Sequence, residues 1–336
     1  MADMLDDRKI VVLQTLIEQY IATGEPVSSA AIAKESGLAV STATIRNDLT
    51  SLEAEGYLLQ PHTSAGRLPT AKGYRYYVDH SEPGHLRRGT QNRINSFFSS
   101  VQLELSRLLK ATTELVADET TYPAVVLGPG LGGDKIRGVH VVQTGTRTIL
   151  VVLVTVNGQV SQDIVSLRDD VQEPIVSEVE GLLGELVVGH SIPEAAARYA
   201  EQEIVTSPAT TIILDRAFEA VVRSDHSTRQ IYVGGTARMA SVWEDVSTVN
   251  RVLEVLEREA TLLALMISTH PGTSIRIGEE IPGPAGRDLA VVSSSYELAG
   301  GSAGSIGVVG PMAMDYRRTI KIIEEVRDGL VDRLGS

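Results

Sequence analysis

Side chains of the kinds that bind DNA bases and phosphates lie close together near the start of the chain. The set comprises Ser41, Thr42, Thr44, Arg46 and Asn47. Guanidinium and amide side chains pair with the edges of guanine and adenine, and hydroxyl groups bind bases or phosphates. The helical phase of this stretch points Asn47 outward more clearly than Arg46. We therefore expect Asn47, Thr42 and Thr44 to make the groove contacts.

Arg46 has a second interpretation. It could form an ion pair with Asp48, or with an acidic residue of the first helix, and would then have a structural role. Asn47 would in that case be merely solvated. The sequence leaves both interpretations of Arg46 open.

A second group of candidates lies between residues 60 and 78, where every charged residue is basic. These residues are Arg67, Lys72 and Arg75. The polar residues His62, Thr63 and Ser64 precede them. A cationic patch beside a groove-reading helix is what contact with phosphates requires. Arg67, which follows a glycine, is the best candidate for insertion beside the hairpin, into the minor groove.

The elements that would position these side chains can be read from the spacing of apolar residues. An amphipathic helix is predicted over residues 7–23, and a short helix over residues 28–36 ends at Gly37. Ser41 is a typical N-cap for the helix that follows. That helix has one apolar stripe, formed by Ile45, Leu49 and Leu52. A short helix joined by a tight turn to a helix with a small polar face fits the major groove of B-DNA.

A short strand at residues 57–59 and a hairpin tip at residues 60–70 come next. Helix, turn, helix and hairpin together make a winged helix-turn-helix domain.

The same stretch resembles the HrcA family of heat-inducible transcription repressors. The matching runs are Ser41–Leu49, Leu52-Glu53, Gly56–Leu58, Gln60–Thr70 and Gly73–Asp79. The resemblance implies a homodimer that represses chaperone operons by binding an inverted-repeat operator and is released on heat stress. It also implies a GroE-type chaperonin as a modulator of the active form.

The rest of the chain alternates strand-like and helical stretches, which indicates an α+β fold. The HrcA resemblance implies a GAF-like antiparallel sheet domain with a helical insertion that dimerises. We therefore expect a winged-helix domain at residues 1–80 and a linker at 81–92. The GAF-like domain would take residues 93–169 and 229–336, and the mainly helical insertion residues 170–228. Towards the end, Ile306–Pro311 and Met314–Tyr316 match the family, whereas Met312-Ala313 and Glu279-Glu280 depart from its pattern.

The net charge of −13 argues at first against a DNA-binding protein. Residues 1–90 hold nine Lys and Arg against eleven Asp and Glu, so most of the acidity lies in the remaining residues. We therefore expect a confined DNA footprint with weak non-specific affinity. The chain contains no cysteine, no long apolar run and no basic signal segment. These features favour a cytoplasmic protein with no membrane partner.

Signals for catalysis or cofactors are weak, and we expect no enzyme activity, cofactor or metal. Residues 300–304 spell the G-x-S-x-G pattern of a hydrolase around Ser302, but a strand and not a helix is predicted to follow. The seven histidines show no metal-binding spacing, and the glycine-rich run at 128–133 matches no phosphate-binding motif. Three alternatives remain open: a small-molecule-gated winged-helix regulator, a hydrolase using Ser302, and a winged helix that binds only protein.

Overall fold

The computed structural model describes ten stretches of the chain. They are residues 5–62, 65–101, 104–131, 133–156, 158–201, 204–227, 230–239, 246–266, 272–297 and 303–334. These residues divide into two compact units. Unit 1 draws on residues 1–125, 233–294 and 306–329, and unit 2 on residues 126–232, 295–305 and 330–336.

The N-terminal part of unit 1 is a helical domain with a small hairpin. Its helices are α1 (Asp7–Thr23), α2 (Ser29–Glu35), α3 (Thr42–Ala54) and α4 (Ala71–Asp79). Helix α1 begins where the Asp6 side chain accepts the backbone N–H of Lys9 at 2.8 Å, and it ends at Gly24, which has a φ of +70°. The apolar sides of the helices form one core, which includes Leu13, Leu16, Ile17, Ile32, Ile45, Leu52 and Tyr74. The predicted winged helix-turn-helix fold is confirmed.

The hairpin, here called the wing, consists of β1 (Leu58–Leu59) and β2 (Leu68–Pro69). The strands are antiparallel, with Leu58 opposite Pro69 and Leu59 opposite Leu68. Reciprocal backbone hydrogen bonds of 3.0 and 2.9 Å join Val27 to Arg67, so the segment before α2 is paired with the wing. The wing is thereby fixed to the helix pair.

Two helices follow, α5 (Arg88–Ser100) and α6 (Leu105–Thr120). The sequence predicts a single helix at about residues 93–118 and a linker at 81–92. The structure differs because the backbone is extended at Val101, with φ −74° and ψ 124°, which ends the first helix. Helix α5 also begins within the predicted linker.

Strand β3 (Ala124–Leu127) leads into a segment with a core of its own. It comprises β4 (Ile136–Gly145), β5 (Thr148–Thr155), β6 (Val160–Ser166), α7 (Glu173–Val187), α8 (Ile192–Glu201) and α9 (Pro208–Ser227). The three strands form an antiparallel sheet in the order β4-β5-β6. One face of the sheet supplies Val139, Val151 and Val165 to a core shared with Val179 of α7 and Val221 of α9.

This arrangement corrects the expected content of the insertion. Residues 170–228 are predicted to be a mainly helical insertion, and the strands before them to belong to the GAF-like sheet. Instead β4, β5 and β6 pair with one another and pack against α7 and α9. Strand composition alone does not reveal which sheet a strand joins, because pairing is decided by partners distant in sequence.

A second sheet has the strand order β7-β3-β10-β9-β8. The strands not yet introduced are β7 (Ile231–Gly234), β8 (Thr273–Ile277), β9 (Leu289–Glu297) and β10 (Ala303–Pro311). Strands β8 and β9 are antiparallel. The remaining helices are α10 (Val246–Glu257), α11 (Glu259–Met266) and α12 (Tyr316–Leu334). Strand β3 is buried along its whole length, and β10 along all but its two ends, as expected for strands inside a sheet covered on both faces.

Candidate nucleic-acid interface

Helix α3 has the features of a recognition helix. It begins at Ser41, whose hydroxyl accepts the backbone N–H of Thr44 at 3.1 Å and lies 3.0 Å from the Thr44 hydroxyl. Ile45, Leu49 and Leu52 are buried and fix the helix to the core. The residues that face away from this stripe are therefore held in a defined orientation towards solvent.

The outward face of α3 presents the predicted base-reading side chains. Thr42, Arg46 and Asn47 are exposed, together with the N-cap Ser41, while Thr44 is half-buried against Ser41. Within the described part of the chain, the Arg46 and Asn47 side chains make no hydrogen bond or ion pair. Their polar groups therefore remain available for a partner outside the chain.

The acid proposed as a partner for Arg46 is already engaged elsewhere. Asp48 is buried and accepts two hydrogen bonds from Arg8 of α1, from Nε at 2.8 Å and from Nη2 at 2.9 Å. This bidentate pair raises the pKa of the Arg8 guanidinium. It ties α1 to α3 and leaves Arg46 exposed, so the structural interpretation of Arg46 through Asp48 is wrong.

The geometry of the wing depends on a glycine. A Cβ atom on Gly66 would lie 2.5 Å from the carbonyl oxygen of Val27, because the two backbones are in direct contact there. The side chain of Gln60 donates to the carbonyl of Ala65 at 2.9 Å and closes the tip. His62 is exposed at the tip. Thr63 and Ser64, predicted as DNA contacts, lie outside the described residues.

Arg67 is not positioned as predicted. Its Nε lies 2.9 Å from Oε2 of Glu53 on α3, and only 15% of its side chain is exposed. The expected insertion of Arg67 beside the wing is therefore not what this structure shows. The guanidinium instead joins the wing to the recognition helix, a contact that local sequence patterns do not reveal.

Arg75 is also engaged within the chain. Its Nε and Nη2 donate to the two carboxylate oxygens of Glu280 at 2.9 and 2.6 Å, and Nη1 donates to Asp79 at 3.1 Å. Nη2 additionally donates to the backbone carbonyl of Ile275 at 2.6 Å. With its donors used in this way, Arg75 is a structural clamp between α4 and Glu280, and its role as a phosphate contact stays a prediction.

Lys72 occupies an intermediate position. Its Nζ donates to the carbonyl of Glu55 at 2.8 Å and lies 4.2 Å from the centre of the Tyr57 ring. This places a positive charge at the C-terminal end of α3, where it complements the helix dipole. The side chain remains exposed, so a phosphate contact by Lys72 is compatible with its position.

The structure adds candidates that the sequence reasoning missed. Ser28 is an exposed N-cap of α2 whose hydroxyl accepts the backbone N–H of Ala31 at 3.2 Å. Lys34 on α2 and Thr50 on α3 are exposed as well. A serine directly before a predicted helix is a typical N-cap, and this signal marks Ser28 as it marks Ser41. No local signal marks Glu280 as the partner of Arg75, because 205 residues separate them.

The alternatives based on catalysis gain no support from the described residues. Residues 298–302, including Ser302, lie outside them, and the flanking elements are strands β9 and β10, not the strand and helix of a nucleophile elbow. No cluster of three metal-binding side chains occurs in the part of the chain that the structure describes. Among the same residues, no helix is both long and apolar enough to cross a membrane.

The fold and the exposed face of α3 define a DNA-binding regulator of the winged helix-turn-helix class. A family model for a helix-turn-helix domain matches residues 12–75, and one for the HrcA protein C-terminal domain matches residues 106–320. The chain belongs to the HrcA family of heat-inducible transcription repressors, and it is a heat-shock transcriptional repressor.

Relatives of nearly the same length support this assignment. The heat-inducible transcription repressor HrcA of Acidothermus cellulolyticus is 36% identical over 96% of this chain and 97% of its own length. The HrcA of Halalkalibacterium halodurans is 31% identical over 98% of each chain. A crystal structure at 2.2 Å resolution, described as that of a hypothetical protein, has a TM-score of 0.60 at 24% identity over 98% of each chain, which supports the fold.

Proposed function

We propose that the protein represses chaperone operons by binding an inverted-repeat operator as a homodimer. The observation that carries this proposal is the outward face of α3, where Arg46 and Asn47 are exposed without a partner in the described residues. Thr42 and Thr44 precede them on the same helix, and His62 and Lys72 are exposed near the wing and the end of α3. Together these side chains would read bases and hold phosphates.

The proposal can be tested by footprinting DNA upstream of chaperone genes with the purified protein. The expected result is a protected inverted repeat whose half-sites lie about one helical turn, about 10 bp, apart or a multiple of it. Protection should weaken steeply as salt is raised, because phosphate contacts release counterions. Absence of protection in dilute buffer would contradict the proposal.

A dimer is required because two-fold symmetry in the operator calls for two-fold symmetry in the protein. We propose that the face of sheet β4-β5-β6 opposite the shared core contacts a second copy of this chain. In the register of the sheet, Leu150 on β5 lies between Val142 and Ile164. The last two are 48% and 66% exposed, and Val160 is 59% exposed.

The composition of β5 supports a covered second face. Its run from Ile149 to Val154 is wholly apolar, so both of its faces are apolar. Such runs are typical of strands that are buried on both sides, whereas a strand with one solvent-exposed face alternates apolar and polar residues. A second copy in an isologous contact would place these apolar side chains against their own counterparts.

The HrcA resemblance further suggests release by heat and modulation by a GroE-type chaperonin. We propose that warming shifts the population away from the folded dimer, since assembly and stability are linked by mass action. Warming a purified sample across the heat-shock range should lower both the dimer fraction and operator retention, and added chaperonin should restore retention. If neither quantity changed on warming, this mechanism would fail. Because the proposed partner is operator DNA, we also propose a cytoplasmic location.

A further inference from the structure

A cleft of about 720 Å³ lies beside the winged-helix domain, within unit 1. Its walls come from α1 and α4, from the segment 84–87 and from the start of α12. Sites for small ligands typically have volumes of about 300–1,000 Å³. The cleft is therefore large enough for a small metabolite, and no role in DNA reading accounts for it.

The cleft is rich in guanidinium groups although the chain as a whole is acidic. Arg87, Arg317 and Arg318 all line it. Arg317 is partly engaged, because its Nε donates to the carbonyl of Glu82 at 3.1 Å and its Nη1 lies 3.4 Å from Glu18. The side chains of Arg87 and Arg318 make no hydrogen bond or ion pair within the described residues, and both residues are exposed. Among the described residues, these two guanidinium groups therefore have no hydrogen-bond acceptor, although Arg318 interacts electrostatically with Glu119.

The two acids of the cleft are already used. Asp315 accepts the backbone N–H of Arg318 at 3.1 Å, which caps α12. Glu18 accepts the Tyr77 hydroxyl at 3.4 Å in addition to facing Arg317. Burial raises the pKa of Tyr77 to about 12, so this hydroxyl remains a donor at neutral pH. Apolar side chains, including Ile21 and Leu86, also line the cleft, as does His85.

We propose that this cleft binds a small organic anion that carries phosphate or several carboxylate groups, with Arg87 and Arg318 as its principal ligands. Planar guanidinium groups bind both kinds of oxyanion through paired hydrogen bonds. A small anion fits the volume of the cleft, and the DNA backbone is the rival occupant that the experiment must separate from it. Bound anion would touch α1 and α12 at once and so couple the winged-helix domain to the rest of unit 1.

Calorimetric titration of the full chain with pyrophosphate and with citrate, at constant ionic strength in chloride, tests the proposal and separates the two oxyanion classes. At least one probe should bind the wild type, and Arg318→Glu should weaken its binding about 10-fold or more. Arg107→Glu is the matched control, since Arg107 is exposed on α6 outside the cleft, and it should bind as the wild type does. Arg87→Gln supplies a second variant if Arg318→Glu does not fold.

Three results would overturn the proposal. In the first, neither pyrophosphate nor citrate binds the wild type. In the second, Arg318→Glu and Arg107→Glu weaken probe binding equally. The third is a lower salt dependence of DNA retention in Arg318→Glu with unchanged binding of the probes, which would assign the cleft to the DNA backbone. The proposal does not depend on operator binding, so its failure would leave the repressor function standing.

Discussion

At the scale of single residues, the distinction that matters is between polar side chains that the protein itself uses and those it leaves exposed. Arg8 and Asp48 form a pair inside the domain, whereas Asn47, next to Asp48 in sequence, has no partner in the described residues. A buried acid with a bidentate partner is a structural feature. An exposed amide on a fixed recognition helix is available for base contact.

Replacing Asn47 with alanine should weaken operator binding by about 1–3 kcal/mol and leave binding to random duplexes almost unchanged. This difference is expected if, as we propose, the amide contacts one base pair and not the phosphates. Fluorescence anisotropy with both DNAs measures the difference. Asn92→Ala, on the exposed face of α5, is the matched control and should bind both DNAs as the wild type does. Equal losses on both DNAs would contradict base reading by Asn47.

A second prediction concerns acid stability. Glu119 is buried, and its pKa is lowered mainly by the hydrogen bonds from Arg93, one of which joins Nη2 to Oε2 at 2.7 Å. Because the folded pKa lies below the unfolded one, this group stabilises the fold above a pH of about 4.5 and loses that contribution as the pH falls further.

In urea denaturation, the free energy of unfolding of Glu119→Gln should therefore be about 1–3 kcal/mol lower than that of the wild type near neutral pH. This deficit should shrink towards pH 3. Glu114→Gln, at an exposed position on the same helix, is the control and should show little deficit at any pH. A deficit for Glu119→Gln that stays constant with pH would argue against this ionic role.

At the scale of elements, two sets of contacts hold the wing and α4 in place. The wing is fixed by backbone pairing between Val27 and Arg67, which requires a glycine at position 66. The clamp joins Arg75 of α4 to Glu280, which also accepts the backbone N–H of Ile277 at 2.9 Å. Both contacts set the orientation of elements and neither needs DNA.

Gly66→Ala should destabilise the protein by about 1–3 kcal/mol, because the added methyl group would clash with the backbone at Val27. Gly89→Ala is its control. A Cβ atom there would meet only a side-chain nitrogen of Arg93 at 3.6 Å, within helix α5, so stability should stay the same or rise by up to about 1 kcal/mol. Thermal denaturation of both variants measures this contrast, and equal effects would contradict the packing described for the wing.

A double-mutant cycle between Arg75→Ala and Glu280→Ala tests the clamp. We expect a coupling energy of about 0.5–3 kcal/mol in stability, because the two side chains share paired hydrogen bonds. The slope of DNA affinity against salt should be the same for both single variants. If Arg75→Ala alone lowered that slope by about one unit, Arg75 would be a phosphate contact after all.

At the scale of the whole molecule, the sequence predicts the winged helix and its recognition helix well, because caps and apolar spacing are local signals. Ser41 and the stripe of Ile45, Leu49 and Leu52 are examples. The engagement of Arg67 and Arg75 could not be predicted, since it depends on Glu53 and on the distant Glu280. Likewise, strand composition identified β4, β5 and β6 but not the sheet they form.

The proposed dimer surface leads to a prediction about assembly. Ile164→Asp places a charge on the exposed apolar face of β6 and should shift the protein from dimer to monomer, with a parallel loss of operator affinity. Light scattering coupled to size exclusion measures the mass. Val205→Asp is the matched control, because Val205 is 92% exposed and lies outside this face. A dimer that survives Ile164→Asp would place the interface elsewhere.

The central claim is that the outward face of α3 and the neighbouring cations bind duplex DNA with sequence specificity. Selection of bound duplexes from a random pool at two salt concentrations tests it most directly. We predict that one inverted repeat is enriched, with stronger discrimination at the higher salt, because non-specific binding depends mainly on phosphate contacts. Failure to retain any duplex at the lower salt, or retention without an enriched sequence, would contradict the account.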